Sequence, residues 1–64
     1  MEPWQKRVIT EKEELDTKIC SLVSFLMAEE NCGVMGEYRE LLIYQRNAML
    51  NYSDILQRRI NNFN

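Results

Sequence analysis

The chain is predicted to be all-α: an antiparallel two-helix hairpin that assembles into a helical-bundle homo-oligomer. Three observations predict it. Before a central break, apolar residues recur as Val8, Leu15, Ile19, Leu22 and Leu26. After it they recur as Tyr38, Leu42, Met49, Tyr52, Leu56 and Phe63. Steps of three, four and seven mark helices with one buried face. The break itself, Glu29 to Gly36, holds both glycines and an Asn-Cys-Gly stop signal, Asn31-Cys32-Gly33.

Helix one is expected from about Pro3 to about Glu29. Pro3 suits a first helical position, where its missing N–H costs nothing. Thr10 and Glu13 have capping-box spacing, yet they fall inside the periodic pattern and read as ordinary helix residues. Glu11, Lys12, Glu13, Glu14, Asp16 and Lys18 form a solvated charged face, with Glu14 and Lys18 at favourable i, i+4 spacing. In the turn, 30–36, Val34 and Met35 are placed under the hairpin tip or against another subunit. Helix two is expected from about Glu37 to about Asn61, with Phe63 continuing its stripe. The whole chain, 1–64, is one domain without linker, repeat or low-complexity segment.

Heptad positions sharpen the reading. In helix one, Leu15 and Leu22 at d put Ile19 and Leu26 at a, together with Gln5 and Lys12. In helix two, Leu42, Met49 and Leu56 at a put Gln45, Tyr52 and Arg59 at d. Polar seam residues ordinarily fix register or oligomer state. The other reading is that they line a polar cavity where helices of several copies meet. Leu41, Ala48, Ile55 and Ile60 add a second apolar stripe on helix two, and one partner helix cannot cover both.

Length supports association. A chain of 64 residues buries only roughly 60% of its unfolded surface, and one core rarely supplies more than about 3–5 kcal/mol. Cys20 and Cys32 would lie roughly 18 Å apart on a continuous helix, beyond the bridging limit of about 7 Å. Unpaired cysteines fit a reducing cytosol. With no histidine and no zinc-type cysteine spacing, neither metal nor cofactor is expected. A dimer or tetramer is the remaining source of stability.

Charge and composition exclude several functions. A net charge of −2 and a pI near 5.0 argue against general nucleic-acid binding through a basic surface. No apolar run approaches the roughly 20 residues that span a bilayer, and no signal peptide is expected from the residues that follow Met1. Catalysis is not expected. There is no histidine for acid–base work, no Gly-rich phosphate loop, and only Lys18 near Cys20 as a base.

Binding remains. Trp4, Tyr44 and Tyr52 can stack on a base, and Arg7, Lys12, Arg58 and Arg59 can hold a phosphate. Antiparallel pairing about Gly33 sets Arg7 beside Arg59 and Lys12 beside Asp54. Two neighbouring arginines need a counter-charge. Glu11, one turn above Arg7, supplies it on one reading; a ligand phosphate does on the other.

Two ordered half-motifs carry a resemblance. Gln5 to Phe25 follows QxRVxxEKxELDxKIxxLxxF, and Leu41 to Phe63 follows LLxxQxxxMxxYSxILxxRIxxF. Together they resemble a family of very short accessory proteins of tailed phages and prophages. Relatives carry a longer acidic stretch with Phe and Leu where this chain has Glu29 to Gly36. The resemblance implies a counter-defence protein of the host bacterial cytoplasm. Sequestering a nucleotide immune signal, either a cyclic nucleotide or an ADP-ribose derivative, is one route. Binding a host defence protein directly is another, and a structural or regulatory coiled-coil module is a third. The candidate ligand-binding positions are Trp4, Gln5, Arg7, Glu11, Lys12, Gln45, Tyr52, Ser53 and Arg59.

Overall fold

A computed structural model describes residues 1–28 and 36–63. It contains two helices, α1 (Pro3–Met27) and α2 (Glu37–Asn61). They lie side by side as an antiparallel hairpin with principal extents of 47 × 16 × 13 Å. The expected stop at Asn31-Cys32-Gly33 and the Val34-Met35 tip lie outside the described residues.

Local chemistry sets the visible boundaries. Pro3 is the first residue of α1, and Glu2 precedes it as an extended cap. The Glu2 N–H donates to Gln5 Oε1 at 2.8 Å, the reaching-back half of a capping box. Helix one was expected to reach about Glu29. It stops two residues short at Met27, because Ala28 takes an extended conformation, φ −72° and ψ 130°. Gly36 enters α2 at φ +71°, a backbone region that a side chain would strain. Glu37 and Glu40 occupy the first turn of α2, and Arg58 and Arg59 the last. Both pairs complement the helix dipole. Arg39 Nη2 donates to the Leu26 carbonyl at 3.5 Å and ties the start of α2 to the end of α1.

The core is narrow. Val8, Leu15, Ile19 and Leu26 are buried on α1, but only Leu56 on α2, where it is 0% exposed. Val23, Met49, Ile60 and Phe63 pack around Val8, Leu15, Ile19 and Leu56. In α1 the inward face holds Gln5, Val8, Lys12, Leu15, Ile19, Leu22 and Leu26, the heptad register expected.

Helix two corrects its register. Gln45, Tyr52 and Arg59 were expected at its seam with α1, and all three are exposed. Arg46, Ser53 and Ile60, one residue further on, face α1 instead. Leu42, Met49 and Leu56 keep their inward places. The shift follows from what α1 presents. Lys12 and Asp16 are polar, and Ser53 satisfies both, whereas Tyr52 would bury a ring against them.

Large apolar side chains remain outside. Tyr38, Leu41, Tyr44, Leu50, Tyr52 and Ile55 are all exposed on α2, as are Trp4 and Phe25 on α1. Among the described residues, no helix is long and apolar enough to cross a membrane.

Candidate functional site

The nine candidate positions separate into three groups. The first is a polar cluster between the helices. Lys12 Nζ donates to Asp16 Oδ2 at 2.7 Å and to Ser53 Oγ at 3.2 Å. Ser53 Oγ in turn donates to Asp16 Oδ1 at 2.6 Å. The three hydrogen bonds close a ring. The Lys12 head is well covered, its side chain 19% exposed, whereas that of Asp16 is 45% exposed. The hydrogen bond from Lys12, then that from Ser53, hold the Asp16 carboxyl below its ordinary range, against a weaker opposing effect of burial.

Lys12 was expected beside Asp54. Instead Asp54 pairs with Arg58 on the same helix at 3.1 Å. Asp16 had been read as part of a solvated face. Its spacing of four from the inward Lys12 was the only signal that it belongs to the interface. A nucleophilic role for Ser53 gains nothing here. Its proton already goes to a carboxylate held low in pKa, which is a weak proton acceptor.

The second group sits at the open end of the hairpin. Trp4 meets Phe63 edge to face, ring centroids 5.1 Å apart and planes at 82°. Half-buried Gln5 beside it is engaged in the helix cap. Arg7 follows Trp4 by one helical turn, and Arg59 precedes Phe63 by one, so both stand about 5–6 Å along the axis from that ring contact. Among the described residues, the ion pairs are Lys12–Asp16 and Arg58–Asp54. Neither Arg7 nor Arg59 takes part. Glu11 was one expected counter-charge for Arg7, and Glu14 was expected to pair with Lys18; neither ion pair is formed.

The third group lies along exposed α2. Gln45 Nε2 contacts Met49 Sδ at 3.8 Å, and Tyr52 projects outward, 43% exposed. Helical periodicity of about 100° per residue relates the groups. Asp16 and Ser53 meet on one side of the plane through the two axes. Arg7 and Glu11 on α1, and Gln45, Tyr52 and Arg59 on α2, turn toward the other side. One broad face therefore carries two cations without acidic partners among the described residues, a tyrosine and an amide.

A family model described as Sequestin matches residues 2–62. The chain belongs to the Sequestin family. No curated protein and no solved structure is significantly similar to it. The matched span covers both helices and all nine candidate positions, so the Sequestin assignment rests on the whole hairpin. Among the described residues the two helices have no third wall, and they expose most of the candidate side chains on one side. A Sequestin chain with this shape offers a surface for binding, and a second surface is needed to enclose a small ligand.

Proposed function

We propose that this chain is a phage-encoded counter-defence protein that sequesters a nucleotide immune signal between subunits of a homo-oligomer. The observation that carries the reading is the pair Arg7 and Arg59. Among the described residues neither guanidinium group has an acidic partner, and both stand one turn from the Trp4–Phe63 contact. A phosphate answers two such cations in bidentate fashion, and an aromatic ring stacks on the attached base. The family description, with its sense of sequestering, supports binding without turnover. The nucleotide is of the cyclic or ADP-ribose-derived class. Glu11 and Tyr52 flank the site on this reading, whereas Lys12 and Ser53, bound to Asp16 on the other side of the hairpin, set the register of the two helices.

A thermal-shift panel of cyclic dinucleotides and ADP-ribose derivatives tests it. At least one compound should raise the melting temperature, since a ligand at 100 times its Kd stabilises by about 2.7 kcal/mol. Arg7→Ala should remove that shift while light scattering shows the same particle size. If no compound shifts the wild-type protein, the sponge reading falls. The exposed acidic face of α1, with Glu11, Glu13 and Glu14, then favours the second reading, direct binding to a host defence protein.

A further inference from the structure

Helix α2 carries two complete heptad seams. Leu42, Arg46, Met49, Ser53, Leu56, Ile60 and Phe63 form the one that faces α1. Tyr38, Leu41, Gln45, Ala48, Tyr52, Ile55 and Arg59 form the other, with the same alternation of three and four. All seven residues of the second seam are exposed. Tyr38 is 62% exposed, Leu41 53%, Ile55 46% and Tyr52 43%. An apolar stripe of this length on so small a protein marks an interaction surface.

The order of residues along this seam identifies its occupant. Reading outward from Ala48 in both directions gives Gln45 and Tyr52, then Leu41 and Ile55, then Tyr38 and Arg59. The seam is thus self-complementary about its centre. We infer that it is the contact between two copies of this chain, with α2 packed antiparallel on α2 of the partner subunit and the two-fold axis at Ala48.

Antiparallel pairing sets Ala48 against Ala48 of the partner subunit, and the small side chains let the helices approach. Leu41 meets Ile55 of the partner subunit, an aliphatic layer on each side of the axis. Gln45 meets Tyr52 of the partner subunit, an amide beside a phenol. Arg59 meets Tyr38 of the partner subunit, where a guanidinium can lie on the ring face.

Charge decides the direction. The first turn of α2 carries Glu37 and Glu40, and the last turn carries Arg58 and Arg59. The antiparallel arrangement brings each acidic end to a basic end and opposes the two helix dipoles. A parallel arrangement would stack Arg59 on Arg59 and Glu37 on Glu37. The coiled-coil pattern is therefore satisfied in one direction only. This dimer supplies the second wall that the proposed pocket requires. It rests on the oligomeric part of that reading and is independent of any ligand.

Cysteine cross-linking in a Cys20→Ser/Cys32→Ser background tests the interface. Ala48→Cys should form a covalent dimer under mild oxidation, since the two-fold axis brings position 48 within bridging range of its mate. Arg59→Cys alone should not, because the two copies of position 59 stand roughly 33 Å apart at 1.5 Å per residue. Mixing Tyr38→Cys with Arg59→Cys should yield the mixed dimer. Circular dichroism verifies that each variant is helical, and positions 38, 48 and 59 are all exposed. Efficient self-linking of Arg59→Cys would show parallel pairing and overturn the inference. So would a helical Ala48→Cys protein that remains monomeric under oxidation, leaving the seam to a different protein. Neither outcome alters the nucleotide panel, so the two proposals fail separately.

Discussion

Ser53 Oγ donates to Asp16 Oδ1 at 2.6 Å, a hydrogen bond that joins α2 to α1 across the polar gap in the core. Lys12 Nζ touches both partners, so one serine hydroxyl mediates between a cation and an anion. Ser53→Ala should leave the helices helical but lower the melting temperature. Asp16→Ala should do likewise, and the double variant should cost less than the two losses added together, because the residues form one network. Additive losses would mean that the hydrogen bond contributes nothing beyond its separate ends.

The same ring sets a pH dependence. Asp16 has its pKa lowered in the folded chain by Lys12 and then Ser53. Unfolded, an aspartate titrates near about 3.9. Its contribution to stability is therefore fully present above that value and is lost as pH falls through the lower folded pKa. Asp16→Asn should flatten the stability profile in that acidic window and leave its shape near neutrality unchanged. Thermal melts at a series of pH values read this directly. An unaltered acid limb would assign the loss to other carboxylates.

Helix one was legible from sequence because its inward positions are separated from its polar ones by a clean heptad. Val8, Leu15, Ile19 and Leu26 admit a single stripe, and Gln5 and Lys12 fall within it. Helix two was misread at half of its seam because it has two apolar stripes about 100° apart. Leu42, Met49 and Leu56 belong to one, and Leu41, Ala48 and Ile55 to the other. Tyr52 is the more apolar choice between them, yet Ser53 takes the inward place, since its short hydroxyl accepts from Lys12 and donates to Asp16 without putting a ring between the helices. Hydrophobic periodicity registers burial and is blind to such a polar exchange. The absence of the Arg7–Glu11 ion pair was likewise beyond sequence spacing, which gives proximity along a helix but no rotamer.

Leu56 is the one side chain of α2 that is wholly buried. Truncating a buried leucine to alanine costs about 2–5 kcal/mol. A core of this size supplies about 3–5 kcal/mol. Leu56→Ala should therefore leave the chain largely unfolded at room temperature, read as lost helicity by circular dichroism. Leu50→Ala, at an exposed position on the same helix, should change little. Equal effects of the two would move the core to a different face of α2.

Cys20 is a free thiol at an exposed position on α1. Seven residues of helix, about 10 Å, separate it from the end of α1. A thiol with no disulfide partner among the described residues contributes nothing that reduction would remove. Reducing agent should leave the melting temperature unchanged. A marked loss of stability on reduction would reveal a bridge between chains.

The edge-to-face contact of Trp4 on Phe63 joins the first turn of α1 to the residues just beyond α2. Trp4 is the only tryptophan, so its emission reports on this end alone. It is 47% exposed, with the remainder of the indole covered. Phe63→Ala removes one covering ring and part of the packing against the buried cluster of Val8, Leu15, Ile19 and Leu56. Trp4 emission should shift to longer wavelength, and the melting temperature should fall by several degrees, since about 1 kcal/mol corresponds to about 4–8 °C in a domain this small. A bound base stacking beside Arg7 and Arg59 would act on the same indole, so a nucleotide that raises the melting temperature should also quench Trp4. A ligand that stabilises the protein with no change in Trp4 emission would bind away from the open end, and the Arg7–Arg59 site would not be its location.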